Sequence, residues 1–416
     1  MKILYLHQYF TTPEYSGGTR SYEVAKRLVK RGHEVRMVTS SAFLGESAKK
    51  KRGWNCFVVD GIQVEALNLG YSNSLGFIAR LRVFLWFMVA SSLRGIAQPV
   101  DLVFATSTPL TIAVPGIFAS ICRRAPMVFE VRDLWPAAPI AMGVLKNPVL
   151  IWLARLLERR AYWHSSAIVA LSPPMLEGVR KIVGDNVPKL MSPNACDVDL
   201  FQGVRPLDSG EEPWRELTRG RRFLAYAGSL GPLHGVDFSV ELAGELKRND
   251  ADVVILCAGE GSEQSKLKER AKRLNVLGEK FFFIGPLPKL QIAALLQNAT
   301  MVLNTVKAGI PELQSASPNK FFDALAAGKP IASTFADGWI YELISESNCG
   351  VNLTPGDPLE AARLIAETLD DDAGLSAMGE ASMLLAEDAF DRDKLVRELG
   401  DFLEKVLVNH KDGPDV

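Results

Sequence analysis

Few features of this 416-residue chain speak for a metal, a disulfide scaffold or a nucleic-acid partner. Its five cysteines, Cys56, Cys122, Cys196, Cys257 and Cys349, are scattered and form no CxxC pair. They supply neither a zinc site nor a disulfide framework, and they read as core or incidental residues in a reducing cytosol. The net charge is −1, so no basic field draws nucleic acid. HExxH, GxSxG and Walker lysine motifs are missing, which leaves metal and serine-nucleophile mechanisms without support. A membrane-spanning run is missing too. The Met1–His7 stretch is too short for a signal peptide. The most apolar stretch, Leu75–Ile96, is interrupted by Arg80, Arg82 and Arg94. Its centre around Trp86 reads as a buried core helix. Its arginine-flanked N-terminal end suits rest on an anionic membrane surface instead.

What is present is a globular composition, 48% hydrophobic and 23% charged, in a chain too long for one core. Short apolar runs alternate with amphipathic stretches. Lys2–His7 reads as a buried strand, Thr19–Arg31 as a helix and Val35–Thr39 as the next strand, a parallel right-handed unit. Helices at 75–96, 111–123 and 149–164 separate further strands. A second series of the same kind starts near Arg222. The expected fold is therefore α/β, with two Rossmann-like doubly wound domains facing across a cleft. The boundaries read as 1–195, 196–390, and a C-terminal helix and tail at 391–416. The polar stretch Arg205–Arg221 reads as a surface loop, and Asn409–Val416 as a disordered tail.

Open α/β sheets bind ligands outside the carboxyl ends of their strands. Gly17-Gly18 precedes the first helix but is not a GxGxxG fingerprint. It lets backbone approach a ligand, or it is a plain turn. Glu130-Val131-Arg132-Asp133-Leu134-Trp135-Pro136 follows a strand. Glu130, Arg132 and Asp133 are candidate catalytic groups. Trp135-Pro136 offers a platform for a sugar, although Arg132 and Asp133 also fit a structural ion pair. In the second half, Gly228-Ser229 and His234 lie on a loop suited to cradle phosphate. Gly259 and Gly285 mark two further strand-to-turn glycines, each weak by itself. The run Ser317-Pro318-Asn319-Lys320-Phe321-Phe322-Asp323 opens a helix that Gly328 ends. A helix N-terminus plus Lys320 attracts phosphate, and Asp323 lies one turn on, within reach of a ribose hydroxyl. An ordinary amphipathic helix carries the same pattern.

Taken in order, Gly17-Gly18, Gly32-His33-Glu34-Val35, Tyr226-Ala227-Gly228-Ser229, Ala258-Gly259-Glu260-Gly261, Phe283-Ile284-Gly285 and Phe322-Asp323-Ala324-Leu325-Ala326-Ala327-Gly328-Lys329-Pro330 resemble the retaining nucleotide-sugar glycosyltransferases of glycosyltransferase family four. The Arg132-Asp133-Leu134-Trp135-Pro136 and Ser317-Pro318-Asn319-Lys320 variants resemble a bacterial branch that builds O-antigen, capsule or exopolysaccharide, with N-acetyl-fucosamine transferases among its members. The resemblance implies a GT-B fold and no bound metal or other cofactor. It implies a nucleotide diphosphate donor, UDP-linked, carrying an N-acetylated hexose or deoxyhexose. The acceptor it implies is a lipid-linked saccharide at the cytoplasmic face of the membrane, with Leu75–Ile96 as a possible contact. Asp323 takes the place of the second acid of the family's donor site, and Ser315 that of the first. Ser229 and His234 stand where an arginine and a lysine usually hold the diphosphate, and Arg132 where a histidine is usual. Lys320, with Arg132, is then the candidate cation. A nucleotide-sugar epimerase, or a non-catalytic subunit that binds nucleotide sugar, remains an alternative.

Overall fold

The computed structural model describes residues 1–15, 17–69, 77–203 and 214–412. It divides into two compact units, Met1–Pro193 with Asp393–Val416, and Asn194–Arg392.

The first unit runs β1 (Lys2–Leu6), α1 (Arg20–Lys30), β2 (Glu34–Ser40), β3 (Trp54–Val59), β4 (Ile62–Leu67), α2 (Phe77–Gly95), β5 (Leu102–Thr106), α3 (Ala113–Arg123), β6 (Met127–Val131), α4 (Ala137–Ala141), α5 (Pro148–His164), β7 (Ala167–Ala170), α6 (Pro173–Val183) and β8 (Lys189–Met191). These strands form one sheet in the order β3-β4-β2-β1-β5-β6-β7-β8. All neighbours are parallel except β3 and β4, an antiparallel hairpin. The apolar run of β1 serves both faces, because successive side chains point opposite ways. Ile3 and Tyr5 join a core with Val24 and Leu28 of α1. Leu4 and Leu6 join a second core with Phe87 of α2, Ala119 of α3 and Tyr162 of α5. The α5 helix starts where Asn147 accepts hydrogen bonds from the Val149 and Leu150 amides, with Pro148 in the first turn.

The second unit runs α7 (Val198–Gln202), α8 (Trp214–Thr218), β9 (Arg222–Ala227), α9 (Val236–Arg248), β10 (Val253–Ala258), α10 (Gln264–Arg273), β11 (Phe281–Gly285), α11 (Lys289–Asn298), β12 (Met301–Asn304), α12 (Asn319–Ala326), β13 (Ile331–Ser333), α13 (Gly338–Ser347), β14 (Gly350–Asn352), α14 (Pro358–Leu369) and α15 (Asp372–Asp388). Its six-stranded sheet, ordered β11-β10-β9-β12-β13-β14, is parallel throughout. The last helix, α16 (Arg392–Asp412), returns to the first unit, where Val396, Leu399, Leu403 and Val406 pack into the core that holds α1.

Several expectations change here. The polar stretch 205–221 is not all loop, because Trp214 is 1% exposed and anchors α8; residues 204–213 lie outside the described ones. Asn409–Asp412 continue α16, and 413–416 lie outside the described residues. From Asp393 the chain belongs to the first unit, while Asp391 and Arg392 belong to the second. The stretch Leu75–Ile96 forms a helix over Phe77–Gly95, with 75–76 outside the described residues. Its centre is not a fully buried core helix: Phe87 is buried, but Leu85, Trp86 and Val89 are exposed. Among the described residues, no helix is long and apolar enough to cross a membrane. Cys196, Cys257 and Cys349 are buried and free, and Cys56 and Cys122 are exposed.

Candidate functional site

In the second unit, the carboxyl ends of β9, β10 and β12 meet the first turn of α12. Lys320 lies on that turn. Its ammonium donates to the Thr305 carbonyl and sits 4.9 Å from the centre of the Tyr226 ring. Among the described residues, no carboxylate pairs with it. Burial pushes its pKa down to about 7, so near neutral pH it is charged about half the time. The Tyr226 hydroxyl donates to the Ser229 carbonyl at 2.8 Å, and the Thr305 hydroxyl donates to the His234 carbonyl at 2.7 Å. These bonds tie the 228–235 loop to the lysine. Burial, helped by the charge on Lys320, lowers the His234 pKa to about 4. A neutral imidazole there offers one N–H and no charge.

The two glycine loops use their own amides. Gly228 N–H donates to the Ala258 carbonyl at 3.0 Å, and Gly259 N–H to the Gly285 carbonyl at 2.8 Å. Gly259 has φ +143°, and a Cβ there would lie 1.9 Å from the Gly228 carbonyl oxygen. Glycine at 259 is required by loop-on-loop packing. The amides of Gly228 and Gly259 are thus spent on neighbouring strand-end backbone, and the Ser229 hydroxyl and His234 are what this loop offers a phosphate. Gly228 and Ser229 are nonetheless exposed, and Gly285 closes the end of β11 with φ +79°.

One turn beyond Lys320, Asp323 faces a buried chain of charges. Its Oδ1 accepts from Lys289, whose ammonium is 3.7 Å from Asp197. Arg392 grips Asp197 through Nε and Nη2, and Nη2 also reaches the Ala195 carbonyl at 2.7 Å. Burial alone would lower the Lys289 pKa. The Asp323 and Asp197 carboxylates outweigh that and hold it above the usual value. Asp323 is thus oriented by Lys289.

In the first unit, Glu130, the penultimate residue of β6, is fully buried. Its Oε1 accepts from Arg20 at 3.0 and 2.8 Å, and its Oε2 from the Thr106 hydroxyl at 3.0 Å. Arg20 also donates to the Ser192 and Pro193 carbonyls. Both carboxylate oxygens are engaged and water has no access. The catalytic expectation for Glu130 is corrected to a structural one. Arg132 and Asp133 differ. The Arg132 amide donates to the Ser107 hydroxyl at 2.9 Å, and its guanidinium lies 3.3 Å from His7 Nε2. Burial, then the Arg132 charge, hold the His7 pKa well below normal. The ring is therefore neutral and accepts from Arg132 through Nε2. Asp133 accepts from the Thr108 hydroxyl at 2.9 Å, and burial raises its pKa. Arg132 and Asp133 form no ion pair with each other among the described residues. Thr108 has φ +98°, a strained value for a β-branched residue. Trp135 packs against the core rather than standing free as a sugar platform. Gly17, at φ +137°, shapes the loop before α1, with Gly18 half-buried beside it.

A model described as glycosyl transferase 4-like domain matches residues 17–195, and one described as glycosyl transferases group 1 matches residues 210–383. The chain thus carries a glycosyl transferase 4-like domain followed by a glycosyl transferases group 1 domain, and it is a glycosyltransferase. It is 25% identical over 331 residues to a probable glycosyltransferase, WbjE, of Pseudomonas aeruginosa, covering 77% of this chain and 79% of that one. It is 24% identical over 354 residues to WcaI of Escherichia coli K12, assigned to colanic acid biosynthesis as a glycosyl transferase, covering 79% and 82%. The solved structure of Anabaena HepE with UDP-glucose superposes with a TM-score of 0.70 at 18% identity, over 97% of this chain and 100% of that one. The fold is thereby GT-B, two Rossmann-like domains.

For this glycosyltransferase, sequence reasoning singled out Lys320, Asp323, Ser229 and His234, and the structure gathers Lys320, Ser229 and His234 through Tyr226 and Thr305. It missed Lys289, Asp197 and Arg392 behind Asp323, and Arg20 and His7 in the first unit. One signal was available. Asp323 is the single acid on the otherwise apolar second half of its helix, and such a carboxylate needs a cation partner.

Proposed function

We propose that this glycosyltransferase moves a sugar from a UDP-linked donor to a lipid-linked saccharide in surface polysaccharide synthesis, with retention of configuration. The sugar is an N-acetylated hexose or deoxyhexose. The observation that carries the reading is the Lys320 ammonium, held at a strand-end edge over Tyr226 without a carboxylate partner. A diphosphate supplies the missing anion. It draws the lysine to its charged form, and that charge then stabilises the departing nucleoside diphosphate. Asp323, set by Lys289, accepts from the ribose, while Ser229 and neutral His234 donate to phosphate oxygens. Arg132 and Asp133 serve the acceptor side. UDP-glucose bound to HepE supports a UDP donor, and the relationship to WcaI supports polysaccharide synthesis.

Calorimetric titration of the full chain with a panel of UDP-sugars tests the donor assignment. Lys320→Ala removes binding of the sugar that binds the wild type. Unchanged affinity in that variant overturns the assignment. The anomeric configuration of product, read by NMR, tests retention.

A further inference from the structure

The side of the first unit covered by α2, α3 and α5 is unlike the rest of its surface. Each helix buries one stripe in the core beneath and presents a second stripe outward. On α5 the outward residues are Val149, Trp152, Leu153, Leu156 and Trp163, with Trp152 62% exposed. They recur at helical spacing on one side. On α2 the outward stripe is Leu85, Trp86, Val89 and Leu93, with Trp86 59% exposed. Phe118 and Ile121 of α3, which packs against both neighbours, are exposed as well. Aliphatic and tryptophan side chains at this exposure, on three neighbouring helices, exceed the scattered apolar residues of an ordinary surface.

The charges on these helices have one sign. Arg82 on α2, Arg124 after α3, and Arg155, Arg159 and Arg160 on α5 are exposed. The one acid across the three helices is Glu158, half-buried, whose pKa burial raises to about 7. The opposite side of the sheet contrasts with this. There Arg27 pairs with Glu23 and Asp393, and Arg31 pairs with Asp401 and Glu404 at the seam of α1 and α16.

We propose that the α2–α3–α5 side is a membrane-docking face that takes an anionic lipid surface. Tryptophan and leucine enter the headgroup boundary while the arginines meet lipid phosphates, and among the described residues no helix is long and apolar enough to cross the bilayer. A second copy of the chain fits poorly. A two-fold contact through this face sets arginines against arginines, with only the half-buried Glu158 to answer them. The face gains a purpose from the proposed lipid-linked acceptor, but its evidence is independent of that reading.

The test is co-sedimentation of the full chain with phosphatidylcholine vesicles, with and without phosphatidylglycerol. Binding is expected only with the anionic lipid and is expected to weaken with salt. The double variant Trp152→Ser/Leu153→Ser loses at least about tenfold in vesicle affinity while keeping its melting temperature. Arg159→Gln/Arg160→Gln loses several-fold. UDP-sugar titration of the same variants is unchanged, which separates this proposal from the donor reading. Equal binding to both vesicles, no binding, wild-type binding by the serine variant, or a concentration-dependent dimer that the serine variant abolishes would each overturn it.

Discussion

Two cations at helix starts, one in each unit, have opposite surroundings. Arg20 is answered in full by Glu130 and by two backbone carbonyls. Lys320 meets one carbonyl and an aromatic ring, and burial drags its pKa to about 7. A desolvated charge costs several kcal/mol unless it is paired and hydrogen-bonded. The first arrangement covers that cost within the protein. The second leaves a deficit that an anionic ligand offsets. Among similar-looking charged residues at helix starts, completeness of pairing separates scaffold from chemistry.

The largest effect is expected from breaking the complete pair. Arg20→Met leaves Glu130 buried and unpaired, and costs about 3–5 kcal/mol. Thermal melting should fall by roughly 10 °C; a shift within a degree or two would show that Glu130 has other support. Next comes the incomplete cation. Lys320→Met should reduce transfer about a hundredfold or more, while the melting temperature holds or rises because an unfavourable buried amine is gone. A sharp fall in melting temperature together with lost transfer would make Lys320 a fold residue and erase the contrast. Smaller again is Lys289→Met. It leaves Asp323 without its cation while Asp197 keeps Arg392, and a loss of about 1–3 kcal/mol is expected in chemical denaturation.

The mildest test uses pH. Lys320 has a folded pKa below its unfolded one, so the unfolded chain binds the extra proton between about 7 and the usual lysine value. Its unfavourable contribution to stability is fully present below about 7 and fades as pH rises through that window. Donor affinity runs the other way, because phosphate needs the charged amine. It should fall roughly tenfold from pH 6 to pH 8, and Lys320→Met should flatten the stability profile over the higher window. A donor affinity indifferent to pH over that range would remove Lys320 from the phosphate site.

Much of the architecture was legible. Parallel strands buried on both faces read as apolar runs, and β1, β5, β6, β9, β10 and β12 fall where such runs lie. The short edge strands β8 and β14 did not, because three residues carry no period. The site was legible where residues are neighbours in sequence, as with Lys320 and Asp323. It was illegible where the fold joins distant positions. Nothing near Lys289 announces that it meets Asp323 and Asp197, and nothing near Arg20 announces Glu130, 110 residues away. The glycines of the 228 and 259 loops carried a true signal with a different cause: they answer to a neighbouring backbone, and a ligand was inferred. Nor did the outward stripe of α5 stand apart from its inward one, since Leu153 and Leu157 look alike until the core beneath them is known.

The return of the chain by α16 has a consequence for biogenesis. The hydrophobic interior that α1 shares with Leu399 and Leu403 is incomplete until α16 has been made. The first unit, although begun earlier, closes this core only after the second unit has been translated. A nascent chain halted near residue 195 would display that raw interior to chaperones, and an early stop codon before residue 392 would harm the beginning of the protein more than its end.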